Sequence, residues 1–159
     1  MVKTSIIIAL FLIIGTTAYS QEDASKYIYN GNNSYKSNNY KEAEIDYRKS
    51  LDKNPNSSIA KYNLANSLFK QGNYQEAMDK YKELSGENFS KRELSKVFHN
   101  LGNSLLEDKK YKESVDAYIN ALKNNPKDED TKYNLAYARE MLRKQQQQDK
   151  NKDKNKDNK

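Results

Sequence analysis

The segment from Tyr40 to Tyr47 (YKEAEIDY) returns 34 residues on as Tyr74 to Tyr81 (YQEAMDKY) and a further 37 on as Tyr111 to Tyr118 (YKESVDAY). A repeat of this period belongs to a stack in which no unit buries its apolar face alone, so each must pack on its neighbours. A binding surface on such a chain is expected along a groove that runs across the units.

Charged residues make up 31% of the 159-residue chain, and only two prolines and five glycines interrupt it. With strongly periodic apolar positions, that balance predicts an all-α fold rather than a compact β structure. The length suits one domain whose core is built from recurring tyrosine, leucine and alanine, with an appendage at each end.

At the N-terminus Lys3 precedes an apolar run from Ile6 to Ile14, then Gly15 and Ala18-Tyr19-Ser20. This is the layout of a secretory signal peptide over residues 1–20, with cleavage expected after Ser20. Nine apolar residues fall short of the roughly 20 that span a bilayer, so a retained anchor is the lesser alternative. The mature protein is expected in the periplasm. There is no cysteine, so the chain is not a lipoprotein, forms no disulfide and carries no thiol chemistry.

The C-terminus passes from Gln145 to Gln148 into a run of lysine, asparagine and aspartate that ends at Lys159. Nothing apolar follows Leu142. Residues 148–159 therefore read as a disordered tail, because no burial offsets the entropy of ordering them. Residues 143–159 hold seven basic and three acidic side chains, which accounts for most of the net charge of +6. The folded part is close to neutral, and acids interleave the basic tail, which argues against a nucleic-acid partner.

Within each repeat, the first tyrosine is followed at +3 by a small residue (Ala43, Ala77, Ser114) and at +7 by a second tyrosine, all on one helical face. All six tyrosines are expected in the core. Nine residues before each first tyrosine stands Gly31, Ala65 or Gly102, where a small residue lets antiparallel helices approach. Asn38-Asn39, Gly72-Asn73 and Lys109-Lys110 mark the turns between paired helices, and Pro55 and Pro126 stop the second helices.

These features resemble the tetratricopeptide repeat, a helix-turn-helix of 34 residues, over about residues 24–142. Asn39 to Pro55 and Lys109 to Pro126 match it most fully. The first unit lacks the usual leucine before Gly31, and the middle unit lacks its terminal proline. The resemblance implies an all-α superhelical solenoid of three repeats, 24–57, 58–90 and 91–127, with a short insertion at 86–90. Ser90 and Glu93 form a capping box for the helix that follows the insertion. Residues 128–147 form a capping helix, in which Tyr133-Asn134-Leu135-Ala136 echoes Tyr62-Asn63-Leu64-Ala65.

In this family the first helix of each pair faces a concave groove. The corresponding positions are Ile28, Asn32 and Tyr35; Tyr62, Asn63, Asn66 and Phe69; Lys96, His99, Asn100 and Asn103; and Tyr133, Asn134 and Tyr137. Asparagine recurs in two registers, one of Asn32, Asn66 and Asn103 and the other of Asn63, Asn100 and Asn134. An amide side chain both donates and accepts, so such ladders suit the backbone of an extended peptide. Asparagine in the first register is also common in the family for structural reasons. Some members hold a partner's C-terminal carboxylates in a clamp of two lysines, two asparagines and an arginine. Asn32, Asn63 and Lys96 match that clamp, whereas Ile28 stands for a lysine and Asn100 for the arginine, so no strong preference for an acidic C-terminus is expected.

His99 is the only histidine, and it has no cysteine partner or phosphate-binding glycine loop near it in sequence. The chain therefore reads as non-enzymatic, with no cofactor and no metal. The closing helix, Thr131 to Gln148, and the tail resemble those of the small exported repeat proteins of Bat aerotolerance operons. That resemblance implies an envelope scaffold working with membrane-anchored von Willebrand A domain proteins. The alternative function is a spacer attached peripherally through its lysine-rich tail to anionic lipid or cell-wall polymer.

Overall fold

The computed structural model describes residues 23–157, with side-chain environments through residue 151. The expected signal segment 1–20 lies outside the described residues. Seven helices and no strand occur among them: α1 (23–36), α2 (Tyr40–Lys53), α3 (Ser58–Lys70), α4 (Tyr74–Ser85), α5 (Lys91–Glu107), α6 (Tyr111–Asn124) and α7 (Glu129–Asp157). None of the described helices is long and apolar enough to cross a membrane. The chain divides into two compact units, Met1–Gly72 and Asn73–Lys159. The first contains α1 to α3 and the second α4 to α7.

The helices start in two ways. Those entered from a loop carry a side-chain cap: Ser57 accepts from the Ala60 N–H before α3, Ser90 and Glu93 form the expected capping box before α5, and Asp128 accepts from the Thr131 N–H at 3.0 Å before α7. By contrast, α2, α4 and α6 begin without one. Each of these follows a tight turn in which the residue two before the first tyrosine is left-handed: Asn38 (φ 61°), Gly72 (φ 81°) and Lys109 (φ 60°). At two of the turns, paired backbone bonds close the preceding helix, Asn39 N–H to Ser34 O and Asn38 N–H to Tyr35 O, then Lys110 N–H to Leu105 O and Lys109 N–H to Leu106 O. Pro55 and Pro126 fall two residues beyond the ends of α2 and α6.

In the first unit, α2 packs on α1 and α3. The Tyr47 ring, 1% exposed, lies so close to Gly31 that a Cβ there would stand 2.6 Å from it. Buried Ser50 donates to the Ala24 carbonyl at 2.9 Å, a second link between α1 and α2. In the second unit, α5 packs on α4 and α6, and α6 on α7. The same joint recurs there, with a Gly102 Cβ 2.6 Å from the Tyr118 ring and Ser114 donating to the Gly102 carbonyl at 2.9 Å. Only the second tyrosine of each pair is core: Tyr47, Tyr81 and Tyr118 are buried. Tyr40, Tyr74 and Tyr111 are half-buried, because each begins its helix beside the turn. Tyr40 packs edge-on against Tyr35 at 5.2 Å between ring centres.

Helix α7 buries Thr131, Leu135 and Ala138 on one face, and residues 143–151 are all exposed. It continues to Asp157, which corrects the expectation of a disordered segment from residue 148. No proline or glycine stops it, and glutamine and lysine propagate a helix well. The described part of this extension rests on backbone hydrogen bonds alone, since it buries no apolar face.

Two substitutions test the joints and the turns. Gly102→Ala should lower unfolding free energy by about 1–3 kcal/mol, because the added methyl displaces the Tyr118 ring. Lys109→Gly should raise it by about 0.5–1 kcal/mol, the left-handed strain relieved minus the entropy cost of glycine. Urea titration followed by circular dichroism measures both.

Candidate functional site

The second tyrosine of a repeat does more than fill the core, because its hydroxyl emerges on the far side of the glycine contact. In the first unit the Tyr47 hydroxyl donates to Asn32 Oδ1 at 2.8 Å. The Asn63 amide donates to the same oxygen at 2.9 Å. Asn32 on α1 and Asn63 on α3 are thereby fastened side by side, and the acceptor of Asn32 is filled from within. What remains is complementary to a peptide group: the Asn32 amide nitrogen is a donor and the Asn63 amide oxygen an acceptor, and no hydrogen bond among the described residues takes up either. An open recess of about 140 Å³ adjoins this pair, bounded by Asn32, Tyr35, Lys36, Tyr47, Asn63 and Asn66.

The second unit repeats the arrangement. Tyr118 donates to Asn103 Oδ1 at 2.6 Å, and the Asn134 amide donates to it at 3.0 Å. Asn134 is flanked on α7 by Tyr133 and Tyr137, which are 75% and 48% exposed.

The two asparagine registers are therefore not two independent ladders. Asn32 and Asn103 spend their oxygens on core tyrosines, the structural use that competes with ligand binding in this register. The side-chain oxygens of Asn63 and Asn134 take up no hydrogen bond among the described residues. Ile28, Tyr35, Tyr62, Asn66 and Phe69 are all half-buried in the first unit. In the second, Lys96 is exposed and Asn100 half-buried, and the Asn100 backbone carbonyl accepts from Ser104. Two residues absent from the sequence-based set stand one helical turn from the pair. Lys36 lines the recess, and Ile59 is 64% exposed. Their register gives the signal: Lys36 follows Asn32, and Ile59 precedes Asn63, by one helical turn.

His99, expected as a groove contact, joins α5 to α7 instead. Its Nδ1 lies 2.6 Å from the hydroxyl of buried Thr131, and its ring meets Tyr118 edge-on at 6.0 Å. Burial pushes its pKa below the ordinary value, while Asp128 and Asp130 pull weakly the other way. Burial works to raise the Asp128 pKa, but the Thr131 backbone and side-chain hydrogen bonds more than offset it and hold the carboxyl below its usual range. Burial also pushes the Tyr47 hydroxyl up to about 12, with Tyr35 and Asp46 adding to it, and burial raises Tyr118 further still. Both hydroxyls remain donors throughout the physiological range, so neither tyrosine makes its asparagine pair depend on pH. No group of three acidic or histidine side chains that could hold a metal ion occurs among the described residues.

A family model, tetratricopeptide repeat, matches residues 30–88 and 99–147. No curated protein matches the chain. Among solved structures, the first tetratricopeptide domain of human RPAP3 is 20% identical at a TM-score of 0.72, over 80% of this chain and 98% of that one. The second domain of human RPAP3, solved in complex with the HSP70 peptide SGPTIEEVD, is 18% identical at a TM-score of 0.67, over 77% and 98% of the two chains. The Arabidopsis OM64 domain is 19% identical at a TM-score of 0.70, over 76% and 98%. These likenesses show the fold.

The His99 environment makes a prediction about pH. An unfolded histidine titrates near 6.5, and the folded one lies lower, so the unfolded chain binds more protons between the two values. The His99 contribution is fully present above the unfolded pKa and is lost as pH falls below it, until the folded group also protonates. Urea unfolding at about pH 7.5 and 5.5 should show a larger loss of stability for the native chain than for His99→Gln.

Proposed function

The chain belongs to the tetratricopeptide repeat family, and on that premise we propose that it is a non-catalytic scaffold that holds an extended segment of a partner protein. The observation that carries this reading is the pair of asparagines fastened by a core tyrosine, Asn32 with Asn63 and Asn103 with Asn134. Each pair offers one donor and one acceptor, the complement of a backbone amide, and such contacts take hold of a chain whatever its side chains. The fold is that of an interaction scaffold, and a domain of human RPAP3 that shares it was solved with a bound peptide.

The partner is an internal segment rather than an acidic C-terminus. A carboxylate clamp needs cations where this chain has Ile28 and Asn100, and charge-assisted bonds supply the selectivity of such a clamp. His99 is committed to Thr131 and Tyr118, which leaves it in a structural role.

The protein acts in the envelope after export through the segment 1–20, in a complex with membrane-anchored von Willebrand A domain proteins of the kind that accompany Bat-type repeat proteins. Aerotolerance or stress resistance is the cellular outcome of that complex. A second reading is favoured by one observation, the excess of basic side chains in residues 143–159 on a helix whose described part beyond Leu142 is fully exposed. On that reading the tail attaches to anionic lipid or wall polymer, and the repeats serve as spacer.

Crosslinking capture from envelope fractions separates the two. Residues 21–159, a chain ending at Lys144, and an Asn63→Ala/Asn134→Ala variant are compared, with circular dichroism as the check on folding. Von Willebrand A proteins should be recovered by the first two and lost, about tenfold or more, in the third. Each lost peptide hydrogen bond costs roughly 1 kcal/mol. Recovery that follows the tail and ignores the asparagines would establish the spacer reading instead.

A further inference from the structure

The Asn32–Asn63 pair is neutral and reads a backbone, so it cannot distinguish one partner from another. Discrimination must come from side chains one helical turn to either side. In the first unit those side chains are of two kinds. Toward the N-terminal ends of α1 and α3 stand Ile28, four residues before Asn32, and Ile59, four before Asn63. Both helices pack on α2, which runs antiparallel to each, so α1 and α3 run in the same direction. The asparagine contact puts them in register, and the isoleucines therefore occupy matching turns. Ile59 is 64% exposed, a large aliphatic surface left in water beside a hydrogen-bonding pair. Toward the C-terminal ends, Lys36 lines the recess together with Tyr35 and Asn66, and its ammonium forms no ion pair with any described residue.

We infer that this face selects an internal extended segment in which an aliphatic side chain and an acidic side chain are separated by about three residues. The inference rests on the peptide-binding reading above. The isoleucines take the aliphatic group, Asn32 and Asn63 the peptide group between, and Lys36 the carboxylate. The spacing follows from geometry. One turn each way spans about 11 Å along the helices, and an extended chain advances about 3.3 Å per residue. Lys36 is the one cation that lines the recess, and it holds one carboxylate, which fits a side chain within a continuous segment and not the two carboxylates of an acidic terminus.

The second unit differs at the same register, which makes the assignment specific to the first. One turn before Asn103 stands His99, held by Thr131, and one turn before Asn134 stands exposed Asp130. No aliphatic pair is presented there.

The probe is an N-acetylated, C-amidated peptide of serine, glycine and threonine that carries one isoleucine and one glutamate three residues apart, made in both orders. Its binding to residues 21–159 is followed by fluorescence anisotropy. One order should bind, and replacing its isoleucine by serine should weaken binding about tenfold, the order expected for burying one aliphatic side chain. Replacing its glutamate by glutamine should weaken it about threefold at low salt and not at high salt, as for an exposed ion pair. In the protein, Ile59→Ser and Lys36→Gln should reproduce the two losses separately, and neither substitution disturbs a buried contact. If the isoleucine-lacking and glutamate-lacking peptides bind as well as the parent, the specificity inference fails and backbone binding stands. If a free-acid peptide without glutamate binds better, an acidic terminus is the ligand and the inference is overturned. If no peptide binds while envelope capture still depends on Asn63 and Asn134, the first unit is not the specificity face. If neither peptide binding nor asparagine-dependent capture occurs, the peptide-binding reading itself fails.

Discussion

The ring of the second tyrosine in a repeat, laid against a residue with no Cβ, sets how closely two helices approach, and the binding surface follows from that separation. At Gly31 and at Gly102 a methyl group would stand 2.6 Å from the ring, far inside van der Waals contact. With the ring seated there, the hydroxyl has only one direction left to point, outward to the asparagine that follows the glycine. Asn32 and Asn103 each accept that hydrogen bond. Their remaining acceptor capacity is taken by the asparagine of the next first helix, 31 residues on. Core packing thus decides which atoms of the amide pair face outward. A net hydrogen bond contributes only about 1 kcal/mol, so the polar tie is modest in energy. Its larger effect is to hold two flexible amides in fixed orientation before any ligand arrives, which lowers the ordering cost of binding.

Two otherwise similar pairs sit in different electrostatic surroundings. Around Asn32 and Asn63 the recess is lined by Lys36 and by Tyr35 and Tyr47, whose pKa values burial has raised, so neither tyrosine ionises across ordinary pH. Around Asn103 and Asn134 the same register holds His99, with Asp128 and Asp130 facing it. That histidine joins α5 to α7 through Thr131, whose backbone N–H is in turn capped by Asp128. Protonation of His99 therefore acts on the seating of α7, and α7 carries Asn134, Tyr133 and Tyr137. The second unit couples its stability to pH through the helix that supplies one asparagine of its pair, and the first has no histidine to do so.

The repeat register made a good deal of this legible. The small positions at Gly31 and Gly102, the turns at Asn38, Gly72 and Lys109, the stops at Pro55 and Pro126, and the capping box at Ser90 and Glu93 are local rules with short-range causes. What escaped sequence reasoning depends on contacts between distant residues or on a balance of small terms. The two asparagine registers look like parallel ligand contacts until Asn32 and Asn63 are seen to bond each other. The first tyrosines share a face with the second, yet their place at the helix start leaves Tyr40, Tyr74 and Tyr111 half-buried, which periodicity alone does not register. His99 points to Thr131, 32 residues away, and nothing in the neighbouring sequence marks that contact. The continuation of α7 to Asp157 turns on weak propensities that sum over many residues, where the absence of apolar residues suggested disorder.

The division of labour between packing and recognition explains how chains this dissimilar hold one fold. Residues that set the helix spacing, Gly31, Tyr47, Gly102 and Tyr118, are buried or cannot bear a larger side chain, and substituting them costs stability. Residues one turn from the amide pairs, Ile28, Ile59, Lys36 and Asp130, are exposed or half-buried, and substitutions at such positions shift stability by only about half a kcal/mol. Side chains at these positions can therefore change without disturbing the stack, because they stand outside the contacts that hold the helices together. An isoleucine 64% exposed next to an amide oxygen with no described partner is such a position. The fold leaves both without a partner among the described residues, and only a bound group would cover them.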